Sequence, residues 1–142
     1  MRRIRQIKTQ RHTRYGAVTV EFALVVPLVF LFFFAQLEFA RANMIRHAIK
    51  TACYEGARAG IVPGATADEV REAAQKILNA TTISTSEITV TPSLITTETT
   101  SVTVSIAIPV DQNSWVVPQY FKGRSFSNSL TLDREKMDLV VF

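Results

Sequence analysis

The chain has 142 residues, a length that suits one folded domain with appended segments, and its formal net charge is +4. The whole excess lies in residues 1–15, which hold six basic and no acidic side chains, whereas residues 17–142 hold ten basic and twelve acidic ones. A strongly basic folded domain is therefore excluded, and the single cysteine, Cys53, excludes an intramolecular disulfide.

An apolar run follows the basic arm. Residues 17–35 read AVTVEFALVVPLVFLFFFA and carry one charge, Glu21. As a helix this run extends about 28 Å, close to the hydrocarbon thickness of a bilayer. We therefore predict a transmembrane helix over residues 17–36, loosened near Ala23 because Pro27 lacks an N–H group. A basic arm can bind nucleic acid, but beside an apolar run it more often orients a span, so we expect a membrane and no nucleic acid.

Charge on the two sides of this span predicts its orientation. Six basic residues precede it, and a weaker cationic excess follows it. Because the more basic flank stays in the cytoplasm, we predict a cytoplasmic leader over residues 1–16 and an extracytoplasmic domain over residues 37–142.

The first helix is predicted to continue past the membrane as an amphipathic helix. Small and apolar residues recur there at helical spacing, and Gly60 followed by Val62-Pro63-Gly64 predicts its end. The stripe consists of Ile45, Ile49, Ala52, Gly56 and Ala59.

A second, short helix is predicted from its start signal. Thr66 and Glu69 form the capping box T-x-x-E, and an apolar face at helical spacing follows as far as Leu78. Asn79 is the predicted stop.

Serine and threonine make up fifteen of the 25 residues from Thr81 to Ser105, a composition that also suits a disordered or glycosylated segment. Alternation of apolar and polar residues favours strands instead, over residues 87–91, 102–110 and 125–134. The predicted class is α+β: a long N-terminal helix (transmembrane, then amphipathic), a second short helix and a small three-stranded antiparallel sheet packed on the amphipathic half.

The junction between arm and span indicates the function. The arm ends in Gly16, the apolar run begins at Ala17, and Glu21 stands five residues after the glycine. A carboxylate inside a bilayer costs about 2.5–3.5 kcal/mol on insertion scales and usually has a partner. Cleavage after Gly16 would give Ala17 a free amine, which on one subunit could pair with Glu21 of its neighbour. A lone tolerated carboxylate near the membrane edge is the alternative.

This junction resembles that of the type IV prepilins and, more narrowly, of the TadE-like pseudopilins of the tight-adherence (Tad/Flp) secretion system. The resemblance is carried by GAVTVEFAL at residues 16–24 with Pro27, by LEFAR at 37–41 and by EGAR at 55–58. It implies cleavage after Gly16 by a membrane aspartyl prepilin peptidase, an assembly role for the span's carboxylate, and a minor pilin or assembly component of an adhesive bacterial pilus.

The same resemblance implies partners and a location. The expected partners are the prepilin peptidase, other pilin or pseudopilin subunits and the Tad secretion machinery, in a homo- or hetero-oligomer. The expected location is the inner (cytoplasmic) membrane, with incorporation into a surface pilus as a further expectation.

Two pairs of opposite charge lie at i, i+3 spacing beyond the span. Glu38 and Arg41 stand at its exit, and Glu55 and Arg58 stand further along. Residues at this spacing can pair on a helix surface. Packing and solvation are the default interpretation for both pairs, and a subunit contact is the bolder one. Gly56 leaves a thin surface on which we expect the sheet or the second helix to pack.

No residue pattern supports an enzyme. His12 and His47 are far apart, no Cys or His lies at metal spacing, and hydrolase serine motifs and phosphate-binding glycine loops are absent. We therefore expect no catalytic, metal or cofactor site. Cys53 is expected to be a small packed residue, with a disulfide between two copies as the alternative.

A loop over residues 111–124 carries three aromatic residues. Trp115, Tyr120 and Phe121 could form an exposed binding tip, but burial preference favours anchors that hold the loop to the core.

Two other functions stay open. An uncleaved single-pass anchor with an extracytoplasmic binding domain would keep its leader. A conventionally secreted soluble domain would begin near Asn43 and leave the membrane. The mature N-terminus distinguishes these two proteins from a processed pseudopilin.

Overall fold

The computed structural model describes residues 12–115 and 118–134, with side chains from residue 16 onward. The predicted α+β class, with a long first helix, a short second helix and three antiparallel strands, is confirmed. Residues 1–11 of the basic arm and the apolar tail of residues 139–142 lie outside the described residues. The elements are α1 (His12–Gly60), α2 (Ala67–Ala80), β1 (Glu87–Thr91), β2 (Ser101–Pro109) and β3 (Ser125–Asp133).

Two compact units make up the chain, with the boundary between Gln36 and Leu37. In the first unit, α1 passes through Pro27 without a break and exposes its large apolar side chains on all sides. The helix is long and apolar enough to cross a membrane once, and its most apolar 18-residue window has a mean hydropathy of 2.5. Exposure of this kind suits lipid rather than water.

The second unit contains a hydrophobic core built from both helices and the sheet. The part of α1 beyond the span buries one wide face, and the exposed Arg46 and Lys50 lie off it. The predicted stripe is correct except at Ala59, which is half-buried, because the buried face turns to Ala57 and Gly60 near the end of the helix. The core residues contributed by α1 are Ile45, Ala48, Ile49, Ala52, Cys53 and Ala57.

Helix α2 begins with the predicted capping box. The Thr66 hydroxyl accepts a hydrogen bond from the Glu69 N–H, and the Glu69 carboxylate accepts one from the Thr66 N–H. Its inner face buries Val70, Ala74 and Leu78. The two reciprocal bonds satisfy donors that the first turn of a helix cannot use, which defines where α2 begins.

The three strands form a meander in the order β1-β2-β3, with both pairings antiparallel. Alternate residues of β2 are buried, as the sequence pattern predicts, and they face the helices. On the outer face, hydroxyl pairs join β2 to β3: Thr103 to Thr131 at 2.8 Å and Ser105 to Ser129 at 2.9 Å between oxygens. From residue 87 onward the serine- and threonine-rich segment therefore forms strands and the turn between them, and the hydroxyl groups of Thr103 and Ser105 lie on the outer sheet face.

Candidate functional site

The predicted processing residues lie near the start of α1. Gly16 is the fifth residue of the helix, and Ala17 follows it in the same helical conformation. A Cβ atom built on Gly16 would meet no other atom within 4 Å. Packing among the described residues therefore does not require a glycine at this position.

Glu21 lies one turn after Ala17 and is exposed. Neither a hydrogen bond nor an ion pair reaches its carboxylate from any residue in the described ranges 12–115 and 118–134. Its neighbours in sequence, Val20 and Phe22, are exposed apolar residues. The structure thus places a lone carboxylate on an apolar helix surface, where a partner has to come from another molecule or from the undescribed arm.

Glu38 binds the loop between β2 and β3. Its carboxylate accepts three consecutive backbone N–H groups: Gln119 at 3.1 Å, Tyr120 at 2.8 Å and Phe121 at 2.7 Å. A charged acceptor for several backbone donors gives stronger hydrogen bonds than a neutral one. Glu38 therefore holds one half of this loop against α1.

Arg41 binds two connections at once and is 3% exposed. Its Nε donates to the Asn113 carbonyl at 2.7 Å, and its two terminal nitrogens donate to the carbonyls of Thr81 and Thr82 at 3.2 and 3.1 Å. Its guanidinium also lies 4.8 Å from the centre of the Trp115 ring, in cation–π range. The planar, multivalent guanidinium suits this role, because it satisfies carbonyls from two separate loops.

Asn113 is a second buried polar residue, and the sequence analysis did not identify it. Its Oδ1 accepts the N–H groups of Ser84 and Thr85, while its Nδ2 donates to the carbonyls of Thr85 and Pro109. The backbone carbonyl of Asn113 also accepts the hydrogen bond from Arg41. Asn113 thus joins the segment before β1 to the segment after β2. The available signal was an asparagine in the turn that follows a buried strand, since asparagine is common in turns.

Glu38 and Arg41 do not form the surface pair that their i, i+3 spacing allows. Among the described residues no ion pair joins them, because each side chain is used by a different backbone segment. Glu55 and Arg58 do pair, at 3.8 Å between oxygen and nitrogen, with the Arg58 side chain 66% exposed. An exposed pair of this kind contributes little to stability.

Gly56 and Gly60 mark the closest approach of the other elements to α1. A Cβ on Gly56 would lie 3.2 Å from the Ala74 Cβ and 3.3 Å from the Val70 carbonyl oxygen, both on α2. A Cβ on Gly60 would lie 2.9 Å from methyl groups of Val70 and Val102. Helix α2 and strand β2 therefore pack against the bare backbone of α1 at both glycines.

The predicted anchoring of the 111–124 loop by three aromatic residues is correct only for Phe121. Phe121 is half-buried and packs edge-to-face between Phe39 and Phe126, with ring centroids 5.2 and 5.7 Å away. Trp115 and Tyr120 are 63% and 51% exposed. The loop does not need them as anchors, because Glu38 and Arg41 already hold its backbone.

Cys53 lies in the core with no exposed surface. Burial raises the pKa of its thiol to about 11, since a thiolate would be desolvated there. A disulfide between two copies would need this side chain to leave the core. In the part of the chain that the structure describes, no three His, Cys, Asp or Glu side chains come together as metal ligands.

Comparison with known families identifies one segment of the chain. The family model for TadE-like proteins matches residues 16–58, which is less than a third of the chain and nearly the whole of α1 from Gly16 onward. The searches of curated proteins and of solved structures returned no match. The match contains Glu21, Glu38, Arg41, Glu55 and Gly56, and ends at Arg58, before α2 and the sheet.

Proposed function

From the TadE-like segment at residues 16–58, which relates the chain to the Tad pilus, we propose that this protein is a minor pilin-like subunit, a pseudopilin, in the assembly of a Tad-type pilus. The observation that carries the proposal is the spacing from Gly16 to Glu21 at the start of an exposed apolar helix. The proposed role is structural: the chain contributes a processing site, a span and a folded outer domain, and it performs no catalysis.

Cleavage after Gly16 is the first step of the proposed mechanism. A peptidase needs an accessible and locally unwound peptide bond, and Gly16 lies close to the start of α1. Glycine disfavours a helix by about 1 kcal/mol relative to alanine, which lowers the cost of unwinding there. No packing contact from the described residues opposes this opening, because a Cβ atom built on Gly16 would meet none of their atoms within 4 Å. The proposed enzyme is a membrane prepilin peptidase that cleaves on the cytoplasmic side, where the basic leader lies.

Pairing of charges between subunits is the second step. The exposed Glu21 carboxylate has no partner among the described residues, and cleavage would create an α-amino group at Ala17. When two spans pack with an axial stagger, the amine of one subunit meets the carboxylate of the other. Both charges are then neutralised in lipid, which relieves about 2.5–3.5 kcal/mol of insertion cost per carboxylate.

Mass spectrometry of the mature N-terminus tests the proposal. The full-length gene is expressed beside a Tad-type prepilin peptidase, and the protein is purified from membranes. We expect a mature chain that begins at Ala17, and we expect the Gly16→Asp variant to retain its leader. Expression with a catalytically inactive peptidase is the matched control, and it should also leave the leader in place.

Two outcomes contradict the proposal. A mature protein that keeps residues 1–16 in the presence of active peptidase is an uncleaved anchor with an outer binding domain. A mature protein that begins near Asn43 is a conventionally secreted domain. The second outcome has a structural cost, since it removes Arg41, whose guanidinium binds three backbone carbonyls of the outer unit.

A further inference from the structure

Three exposed aromatic residues of the second unit lie in or beside the loop over residues 111–124: Phe39 on α1, and Trp115 and Tyr120 in the loop. Phe39 is 53% exposed, Trp115 is 63% exposed and Tyr120 is 51% exposed. The rings of Phe39 and Tyr120 lie 5.9 Å apart. We call these three residues the aromatic patch.

The aromatic patch is held in place by buried and charge-assisted contacts. Glu38, next to Phe39, accepts the backbone N–H of Tyr120 at 2.8 Å, and the Arg41 guanidinium lies 4.8 Å from the Trp115 ring. Arg41 is itself 3% exposed and bound to three carbonyls. The exposure of the rings is therefore a fixed feature of the fold rather than the result of a loose loop.

Few residues of the chain separate Phe39 of the aromatic patch from the end of the span. Phe39 follows Ala35, the last residue of the apolar run, by four residues of the same helix. Four residues correspond to a rise of about 6 Å, which is similar to the depth of one headgroup layer. Tyr120 contacts Phe39 within the second unit, so the loop and this part of α1 present one surface.

We propose that the aromatic patch lies in the headgroup region of the same membrane that holds the span, with lipid as the occupant of this surface. Tryptophan and tyrosine are enriched at that level, because their rings are apolar at one end and polar at the other. Lys122 and Arg124, in the same loop, are exposed and suit anionic headgroups. The inference requires an inserted span but neither cleavage nor pilus assembly.

The chain's only tryptophan makes the contact directly measurable. The full chain is reconstituted into phosphatidylcholine–phosphatidylglycerol vesicles, and Trp115 emission is recorded with nitroxide-labelled lipids and with aqueous iodide. Nitroxides are placed either in the headgroup region or deep in the acyl chains. We expect the headgroup nitroxide to quench Trp115 at least about twofold more strongly than the deep one, because interfacial aromatic residues stay at headgroup level.

Two relocated reporters in a Trp115→Phe background provide matched controls. Leu94→Trp places the indole on the exposed turn between β1 and β2. Arg134 donates hydrogen bonds both to this turn and to the Val62 carbonyl, just past the end of α1. Iodide should quench this reporter at least about twofold more strongly than it quenches Trp115. Phe33→Trp places the indole within the apolar run, where the deep nitroxide should dominate.

The outcomes separate the lipid contact from its rivals. The proposal is overturned if iodide quenches Trp115 as strongly as it quenches the Leu94→Trp reporter. The proposal is also overturned if Trp115 becomes more protected from iodide as the protein-to-lipid ratio rises, while lipid nitroxides do not quench it. In that case a second copy of the chain covers the aromatic patch. If Phe33→Trp is not quenched by lipid, the span is not inserted and the anchor itself fails. A leader that remains uncleaved affects only the proposed pilus function.

Discussion

Glu38 and Arg41 show how single side chains can organise loops that carry little apolar surface. Glu38 accepts three backbone N–H groups, and Arg41 donates to three carbonyls. Each group serves backbone atoms that have no strand or helix partner. The Asn113 carbonyl is buried and would be costly to leave unsatisfied, so Arg41 fixes the position of that segment. Glu38 adds charge-assisted hydrogen bonds to more exposed backbone of the same loop.

The i, i+3 spacing of these two residues could not reveal this arrangement. The spacing is typical of a surface ion pair, and the sequence contains no information about which backbone segment folds over a given helix face. The partners lie 40 to 83 residues away along the chain. Glu55 and Arg58, further along α1, have the same spacing and do form an ion pair, with the Arg58 side chain 66% exposed.

Substitution of Glu21 tests the proposed pairing of charges between subunits. In the Glu21→Ala variant the Ala17 amine of a cleaved subunit stays unpaired in lipid, at a cost on the order of 2–3 kcal/mol. We therefore expect normal cleavage after Gly16 but at least about tenfold less protein in pili sheared from cells, since a factor of ten corresponds to about 1.4 kcal/mol. Quantitative immunoblotting of the sheared fraction, with N-terminal mass spectrometry, measures both effects.

Val18→Ala is the matched control for Glu21→Ala. Val18 is an exposed apolar residue of the same helix, so its truncation alters the apolar surface but leaves both charges in place. It should assemble close to the level of the unchanged protein. Assembly of Glu21→Ala at that same level would eliminate the charge-pairing mechanism and leave the carboxylate as a tolerated residue near the membrane edge.

At the scale of elements, local pattern predicts most of the fold. The alternation over residues 102–110 identifies five buried positions, four in β2 and Val110 just after it, and the capping box identifies the start of α2. Both signals are local, since a strand has a period of two and a cap requires two residues three apart. The loop over residues 111–124 has no such period, and its conformation depends on α1. This explains why the anchoring prediction is correct for Phe121 but wrong for Trp115 and Tyr120.

Gly60 of α1 is needed because two other elements, α2 and β2, pack closely against the helix at this position. At Gly60 an added methyl would lie 2.9 Å from methyl groups of Val70 on α2 and Val102 on β2. Valine has little freedom about χ1 within regular elements, so neither methyl can rotate away without strain. The helix therefore accepts a poor helix former at the position where the second helix and the sheet meet it.

Gly60→Ala should consequently destabilise the second unit. Overpacking costs about 1–3 kcal/mol, and the better helix propensity of alanine returns less than about 1 kcal/mol. We expect a net loss of about 1 kcal/mol in the free energy of unfolding, which lowers the melting temperature by about 4–8 °C for a unit of this size. Thermal unfolding of the purified chain in detergent, followed by near-ultraviolet circular dichroism, measures the shift.

A double-mutant cycle with Val70→Ala distinguishes a clash from other effects. Val70→Ala removes one of the two opposing methyl groups, so Gly60→Ala should cost less in that background than in the unchanged protein. The same cost in both backgrounds would mean that contact with Val70 does not determine the effect. A rise in melting temperature for Gly60→Ala alone would contradict the close approach itself.

At the scale of the whole molecule, the boundary between Gln36 and Leu37 separates two kinds of surface. Before it, large apolar side chains are exposed, and after it, residues of α1, α2 and the sheet form a core of their own. The same helix supplies a membrane-compatible surface and then one layer of a folded domain. The division follows from sequence: α1 is apolar all round up to Ala35 and amphipathic beyond it.

Two truncations test whether the second unit is complete without the span. A chain that begins at Ala35 keeps Glu38 and Arg41 and holds the new α-amino group away from the Glu38 carboxylate. A chain that begins at Asn43 loses both side chains, along with six hydrogen bonds to the backbone of three loop segments. We expect the longer chain to unfold cooperatively in urea and the shorter one to lose at least about 3 kcal/mol of unfolding free energy, since charged hydrogen bonds contribute about 1.5–3 kcal/mol each.

The variant Glu38→Gln/Arg41→Met in the longer chain separates the effect of these contacts from the effect of chain length. This variant keeps the full length of the helix but removes both charges. Its urea midpoint should therefore fall most of the way toward that of the chain beginning at Asn43. Equal unfolding free energies for the chains beginning at Ala35 and Asn43 would show that the loops fold without Glu38 and Arg41. In that case a secreted domain beginning near Asn43 would be as stable as the membrane-anchored one, and the structural argument against it would be lost.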